Sequence, residues 1–80
     1  MKAKVHITLK PGVLDPQGKA IEGALRGLGF TNASQVRQGK VIELTVDETN
    51  AAAARTRVED MCKRLLANPV MENYDIEILD

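Results

Sequence analysis

Eighty residues, with eleven acidic and eleven basic side chains, limit the classes of function open to this chain. A single short domain, residues 1–80, buries only about 60% of its unfolded surface, so its core is modest and oligomer formation is favoured. Zero net charge and only two aromatic residues provide neither the positive field nor the stacking surface of a nucleic-acid-binding protein.

The first third of the chain predicts a strand followed by a helix. Apolar residues alternate with polar ones from Ala3 to Leu9, which is typical of a half-buried strand. Asp15 is a preferred N-cap and Pro16 a preferred first helical residue, so a helix begins there and runs to about Leu28. Its apolar residues recur at spacings of three and four, which places them on one stripe. They are Ala20, Ile21, Ala24, Leu25 and Leu28.

Three glycines interrupt this helix at positions 18, 23 and 27. Each weakens the helix by roughly 1 kcal/mol relative to alanine. The helix therefore depends on packing, and we expect the close approach of another backbone to explain the glycines. Charged residues such as Glu22 and Arg26 face outward in this interpretation and form a favourable pair four residues apart.

The middle of the chain, residues 33–47, reads as extended structure. Val36, Ile42, Leu44 and Val46 share one parity and so one face. A two-residue turn that includes Gly39 would make this segment a hairpin. A single long, bent strand is the alternative, and the parity of the apolar residues does not separate the two.

The last third predicts a second helix and a final strand. Residues 47–50 end the extended segment and cap a helix over about 51–67, which Asn68 and Pro69 end. Residues 74–79 alternate as a strand does. The order β-α-β(-β)-α-β predicts an α+β fold, a two-layer sandwich of ferredoxin-like type with two helices on one face of an antiparallel sheet.

The uncovered sheet face is expected to carry charge. Lys4 and His6 of the first strand would stand between an acidic row containing Glu43 and another containing Asp75 and Glu77. Such a face is either solvated or a polar contact between subunits, and the sequence leaves both interpretations open.

We find no residues that predict catalysis or metal binding. His6 is the only histidine and Ser34 the only serine, and neither has an obvious catalytic partner. A closed zinc site needs about four ligands. The single cysteine, Cys62, fits a core position in a reducing compartment, so we expect a cytoplasmic protein. The chain has no apolar run of the length that a membrane span requires.

Four short motifs, taken in their order and spacing, resemble the PurS subunit family of phosphoribosylformylglycinamidine synthase. The motifs are Asp15-Pro16-Gln17-Gly18, Leu28-Gly29-Phe30, Arg37-Gln38-Gly39-Lys40 and Leu66-Ala67-Asn68-Pro69. The resemblance implies a non-catalytic subunit, without a cofactor of its own, in an ATP- and glutamine-dependent ligase complex of de novo purine biosynthesis. Such a subunit bridges a large synthetase subunit and a glutaminase subunit, supports ammonia transfer between them, and associates with itself as a dimer or tetramer.

The contact residues with those partners are predicted from two turns. Gln17 and Gly18 lie in the first turn, and Arg37 and Lys40 in the second. Polar, glycine-containing turns held by a rigid sheet are common contact points. The simpler interpretation is local cap and turn chemistry for the first pair and solvated charge for the second. An alternative function is a small-molecule-binding regulatory module of ferredoxin-like fold, with its ligand at a dimer interface near residues 15–18.

Overall fold

The computed structural model describes residues 1–79, in which strands and helices follow the predicted order. The elements are β1 (Lys2–Leu9), α1 (Pro16–Gly27), β2 (Lys40–Thr45), α2 (Ala51–Met61) and β3 (Glu72–Leu79). A π-helical turn, Cys62–Leu66, continues α2, so helical structure extends almost as far as predicted. The final strand begins two residues earlier than predicted.

The three strands form one antiparallel sheet with β1 in the centre, in the order β2-β1-β3. This confirms the α+β, ferredoxin-like class. The register places Lys4 of β1 opposite Glu43 of β2 and Glu77 of β3. The Lys4 ammonium lies 3.7 Å from the Glu43 carboxylate. His6 likewise stands opposite Asp75. The predicted charge ladder on the open face is therefore confirmed.

The segment before β2 forms neither of the predicted alternatives. Residues 28–39 contain no strand, so there is no hairpin, and the single strand begins only at Lys40. The physical reason is that the backbone N–H groups of Val36 and Gln38 donate to side-chain carboxylates of α1 and its cap. Those donors are not available to a neighbouring strand. Gln35 adopts a positive φ of 55°, which also departs from extended backbone.

The hydrophobic core lies between the sheet and the α2 layer. Ile7, Val5, Val58 and Cys62 are its largest fully buried side chains. The other buried apolar residues are Ala3, Val46, Ala54, Ala67 and Ile76. Asn50 caps α2, because its Oδ1 accepts hydrogen bonds from the Ala52 and Ala53 N–H groups. Strand alternation and helix spacing thus bring one face of the sheet and one face of α2 together.

Helix α1 contributes no residue to the core described for residues 1–79. Within that part of the chain only α2 packs substantially against the sheet, and the apolar stripe of α1 is largely exposed. Leu28 is 75% exposed and Ile21 40%. The molecule is 49 Å long, and its radius of gyration is 15.9 Å, against about 12 Å for a compact domain of this length. Helix α1 therefore projects from the sheet. The prediction that both helices pack on one face of the sheet holds for α2 alone, because the residues that α1 buries are polar and contact residues 36–38 instead.

Both helices are too short to cross a bilayer. Helix α1 has twelve residues and α2 eleven, whereas a spanning helix needs about twenty. Residues 1–79 contain no helix that could span a membrane.

Candidate functional site

The two predicted turns meet at the carboxylate of Asp15. As the N-cap of α1, Asp15 accepts a hydrogen bond at Oδ1 from the Gly18 N–H, at 2.9 Å. Its Oδ2 accepts another from the Gln38 N–H, at 2.7 Å. The bond from Gln38, and after it the bond from Gly18, lower the pKa of the Asp15 carboxyl below its ordinary value of 3.8. The positive charge of Arg37 lowers this pKa further. One buried side chain thus joins the start of α1 to the segment before β2.

Glu22 makes a second connection of the same kind, two turns further along α1. Its Oε1 accepts from the Val36 N–H at 3.1 Å, and its Oε2 lies 3.3 Å from Arg26. The predicted pairing with Arg26 is confirmed. The outward orientation of Glu22 is wrong, because this side chain is buried against residue 36. Asp15, Gly18 and Glu22 lie at spacings of three and four, so a single polar face was already visible in the sequence.

Gly18 lies between Asp15 and Glu22 in the chain and is buried. A Cβ at this position would collide with the Val36 carbonyl oxygen. The expected close approach of a backbone is therefore confirmed at Gly18. At Gly23 and Gly27 a Cβ would meet nothing within 4 Å among the residues described. Gly39 also makes a close contact, since a Cβ there would lie 2.7 Å from the Ile7 carbonyl oxygen.

The remaining contact candidates lie on two sides of this junction. Gln17 accepts a hydrogen bond at Oε1 from the Gln38 side-chain amide, at 2.9 Å, and remains exposed. Gln17 and Lys40 border one open hollow of about 330 Å³, which Glu72 also lines. Arg37 lines a different groove, of about 600 Å³, between α1 and the end of β1.

Arg37 is engaged with its own chain. Its guanidinium donates to the backbone carbonyls of Lys10 at 3.0 Å and Leu9 at 3.4 Å. Of the four candidates, Gln17 and Lys40 are thus exposed and adjacent, Gly18 is buried, and Arg37 bridges two segments. Whether any of them contacts a partner stays a prediction.

Two groups of exposed apolar side chains lie in other parts of the chain. The first is the stripe of α1 and the residues after it, where Leu28 is 75% and Phe30 54% exposed. The second follows α2, where Leu65 is 83% and Val70 80% exposed. Asn68 orders that second turn, because its Oδ1 accepts from the Val70 N–H at 3.0 Å. Where exposed apolar side chains form a continuous patch, they mark a site at which another protein binds.

The side chains that could act in catalysis or metal binding lie far apart in the described residues. Residues 1–79 hold no cluster of three or more side chains that could ligate a metal ion. His6 is exposed on the open sheet face, whereas Cys62 is buried beneath α2. Burial, with a smaller contribution from Glu59, raises the pKa of the Cys62 thiol, which keeps it protonated and unreactive.

Comparison with known proteins gives a consistent result. Residues 2–80 match the family model PurS, phosphoribosylformylglycinamidine (FGAM) synthase. This chain belongs to the PurS family. It is 48% identical to the PurS subunit of Synechocystis over 94% of this chain and 75% of that protein. It is 46% identical to the PurS subunit of Methanocaldococcus jannaschii over 96% of this chain and 93% of that one.

Solved structures of the family have the same fold. PurS of Methanocaldococcus jannaschii superposes with a TM-score of 0.85 at 47% identity, covering 95% of this chain and 92% of that chain. A chain of the PurLQS structure from Thermotoga maritima superposes with a TM-score of 0.88 at 35% identity, covering 98% and 95% respectively. The family's fold therefore places α1 and the sheet much as they lie here.

Proposed function

We propose that this chain is the non-catalytic PurS subunit of phosphoribosylformylglycinamidine synthase, acting in the cytoplasm in de novo purine biosynthesis. In that role it holds a glutaminase subunit and a large synthetase subunit together and supports the passage of ammonia between them. The observation that carries the proposal is the exposed apolar stripe of α1, which projects from a chain whose core is formed without it. Because the chain belongs to the PurS family, we interpret that stripe as a surface for assembly into the synthase complex. A free, buried Cys62 fits a reducing compartment.

An adaptor of this kind needs rigidity and surface rather than reactive groups. Ammonia that reaches bulk water is protonated and lost, so the two catalytic subunits must be held in register around a closed route. The three-stranded sheet backed by α2 supplies the rigid part. The stripe of α1 and the turn carrying Leu65 and Val70 supply apolar contact surface.

Self-association is the first step that we propose. A second copy covers the α1 stripe, which removes apolar surface from water at about 25 cal/mol per Å². Zero net charge means that two copies do not repel one another at long range. Strands β2 and β3 are both edge strands, and unpaired edges favour pairing with another chain.

Reconstitution tests the adaptor role. The purified chain is mixed with the large synthetase and glutaminase subunits, glutamine and ATP, and the mixture is run on size exclusion. We expect one co-eluting complex that turns over with glutamine as the nitrogen source. A chain that remains separate from both subunits contradicts the proposal.

Charge reversal at the predicted contacts tests the coupling of the two activities. Lys40→Glu and Arg37→Glu are expected to lower glutamine-dependent turnover several-fold while ammonia-dependent turnover by the large subunit is unchanged. Asp60→Lys, a charge reversal on the exposed side of α2, is the matched control and leaves both rates unchanged. An equal loss of both rates in the Lys40 variant counts against a role in ammonia transfer.

The regulatory-module alternative has one structural observation in its favour. The hollow of about 330 Å³ bordered by Asp15 and Gln17 lies where that reading expects a ligand. Its volume is at the lower end of small-molecule pockets, which begin at about 300 Å³. A thermal-shift screen with free amino acids separates the two functions, because only a bound ligand raises the melting temperature of the isolated chain.

A further inference from the structure

Helix α1 turns a polar face, rather than its apolar face, toward its own chain. The buried residues on this side are Asp15 at the cap and Gly18 and Glu22 within the helix. Opposite them runs the backbone of residues 36–38, whose N–H groups donate to the two carboxylates. A surface helix normally buries its apolar stripe against its own core. Here the apolar stripe is left exposed.

We propose that the carboxylates of Asp15 and Glu22 form a clasp that sets the direction of α1 and so presents its apolar stripe to a second copy of the chain. Glu22 is then a positioning residue for assembly, since it acts through the backbone of Val36 and touches no partner itself. The proposal rests on the self-association step of the proposed function.

Continuous contacts connect the clasp with the sheet. Glu22 holds Val36, and Asp15 holds Gln38, so the two bonds align residues 36–38 along the helix. Gly39 follows directly and approaches the Ile7 carbonyl of β1. Arg37 donates to the carbonyl of Lys10 just beyond β1. Polar contacts thereby fix the direction of α1 relative to the central strand, and within residues 1–79 α1 adds no side chain to the hydrophobic core.

The clasp uses bonds that are costly to lose. A carboxylate accepting a backbone N–H makes a charge-assisted hydrogen bond, which is about twice as strong as a neutral one. Removing the acceptor leaves a partly buried N–H without a partner, and the lost solvation of that N–H then adds to the free-energy cost of the lost bond. The core between the sheet and α2 contains none of these groups. Loss of the clasp should therefore release α1 and leave the core intact.

Three substitutions test this inference by amide hydrogen exchange and sedimentation velocity, all at one chain concentration. Glu22→Ala removes the acceptor, and Glu22→Gln keeps an oxygen acceptor without the charge. Asp60→Ala is the matched control, because Asp60 and Arg64 form the same i,i+4 pair on the exposed side of α2 without a bond to distant backbone. Glu22→Ala is expected to speed exchange at Val36 and across α1 about tenfold and to weaken self-association about tenfold.

The two remaining variants separate the loss of the hydrogen-bond acceptor from the loss of charge and from a general surface effect. Glu22→Gln should restore both measurements to within about threefold of the parent chain. Asp60→Ala should change neither. Amides of the central strand β1 should exchange at parental rates in all three variants, since a general loss of stability would accelerate them too.

Three results overturn the inference. The first is amide exchange at Val36 that is no faster in Glu22→Ala than in Asp60→Ala. The second is an equal acceleration of amide exchange in β1 and α1 of Glu22→Ala. The third is unchanged self-association of Glu22→Ala although exchange across α1 is faster. Failure of the proposed function has a different signature. If the proposed function is wrong, the parent chain itself sediments as a monomer, and Glu22 then has no role in assembly. The hydrogen-exchange pattern still shows in that case whether the clasp holds α1.

Discussion

The two helices of this chain use their apolar residues in opposite ways. Helix α2 is the less amphipathic of the two, yet it buries Ala54 and Val58 completely against the sheet. Helix α1 has the stronger apolar stripe and leaves Leu28 75% exposed. The half containing α2 is held by apolar burial, whereas α1 is held by backbone bonds to Asp15 and Glu22. The amphipathicity of a helix therefore predicts that its apolar face will be covered. It does not tell whether the covering surface belongs to the same chain or to another one.

Truncation of the core should give the largest effect. Ile7 is 1% exposed between the sheet and α2, so Ile7→Ala is expected to lower the free energy of unfolding by about 3 kcal/mol. Leu28→Ala removes a similar side chain from α1 and should cost the isolated chain about 0.5 kcal/mol or less. Urea denaturation at a concentration where the chain is monomeric measures both. Equal losses would mean that α1 belongs to the core.

The glycines of α1 should respond with opposite signs. Gly18→Ala forces the Val36 carbonyl away from the helix and is expected to destabilise the chain by about 1–3 kcal/mol. Gly23→Ala meets open space in a helix interior and should stabilise it by about 0.5–1 kcal/mol. Thermal unfolding followed by circular dichroism measures both. If Gly23→Ala stabilises the isolated chain but weakens self-association, a second copy approaches the helix at that point.

Acid should weaken the attachment of α1 through Asp15. Because the folded-state pKa of this carboxyl lies below its ordinary value of 3.8, its contribution to stability is present above that value and is lost as pH falls through the folded pKa. The stability advantage of the parent chain over Asp15→Asn should therefore be constant near neutral pH and shrink below about pH 4. Urea titrations across this range test it. An advantage that persists unchanged at the lowest pH contradicts the assignment.

The charge ladder on the open sheet face should matter least. Lys4 and Glu43 form a 3.7 Å pair in which the Glu43 side chain is 71% exposed. Lys4→Ala is thus expected to cost about 0.5 kcal/mol or less, and the small effect should decrease further in high salt. Comparison with Lys63→Ala, a lysine outside any ion pair found in residues 1–79, isolates the contribution of the pair. A loss of more than 1 kcal/mol would indicate that this face is buried in an assembly.

The candidate site was only partly predictable from sequence. The two predicted turns are partly regular structure, since Gln17 and Gly18 lie in the first turn of α1 and Lys40 begins β2. Only Arg37 of the four candidates lies outside a helix or strand. The start of α1 was nevertheless predicted at the right place, because caps and prolines are local signals. The meeting of those turns at Asp15, and the burial of Glu22, depend on residues 14 to 23 positions apart. Sequence spacing carries no information about which distant N–H a carboxylate will accept.

The order of the elements and the opposite charges of neighbouring strands were predictable from the amino-acid sequence alone. Alternation set the strands, Asp15 and Asn50 set the helix starts, and the opposite charges on neighbouring strands followed from the topology. Two features emerge only in the folded chain: residues 33–39 form no strand, and α1 stands away from the core. The physical reason is that local propensity and periodicity act within a few residues. The partner of a buried carboxylate or an apolar stripe is chosen instead by competition among all the surfaces that the folded chain brings within reach.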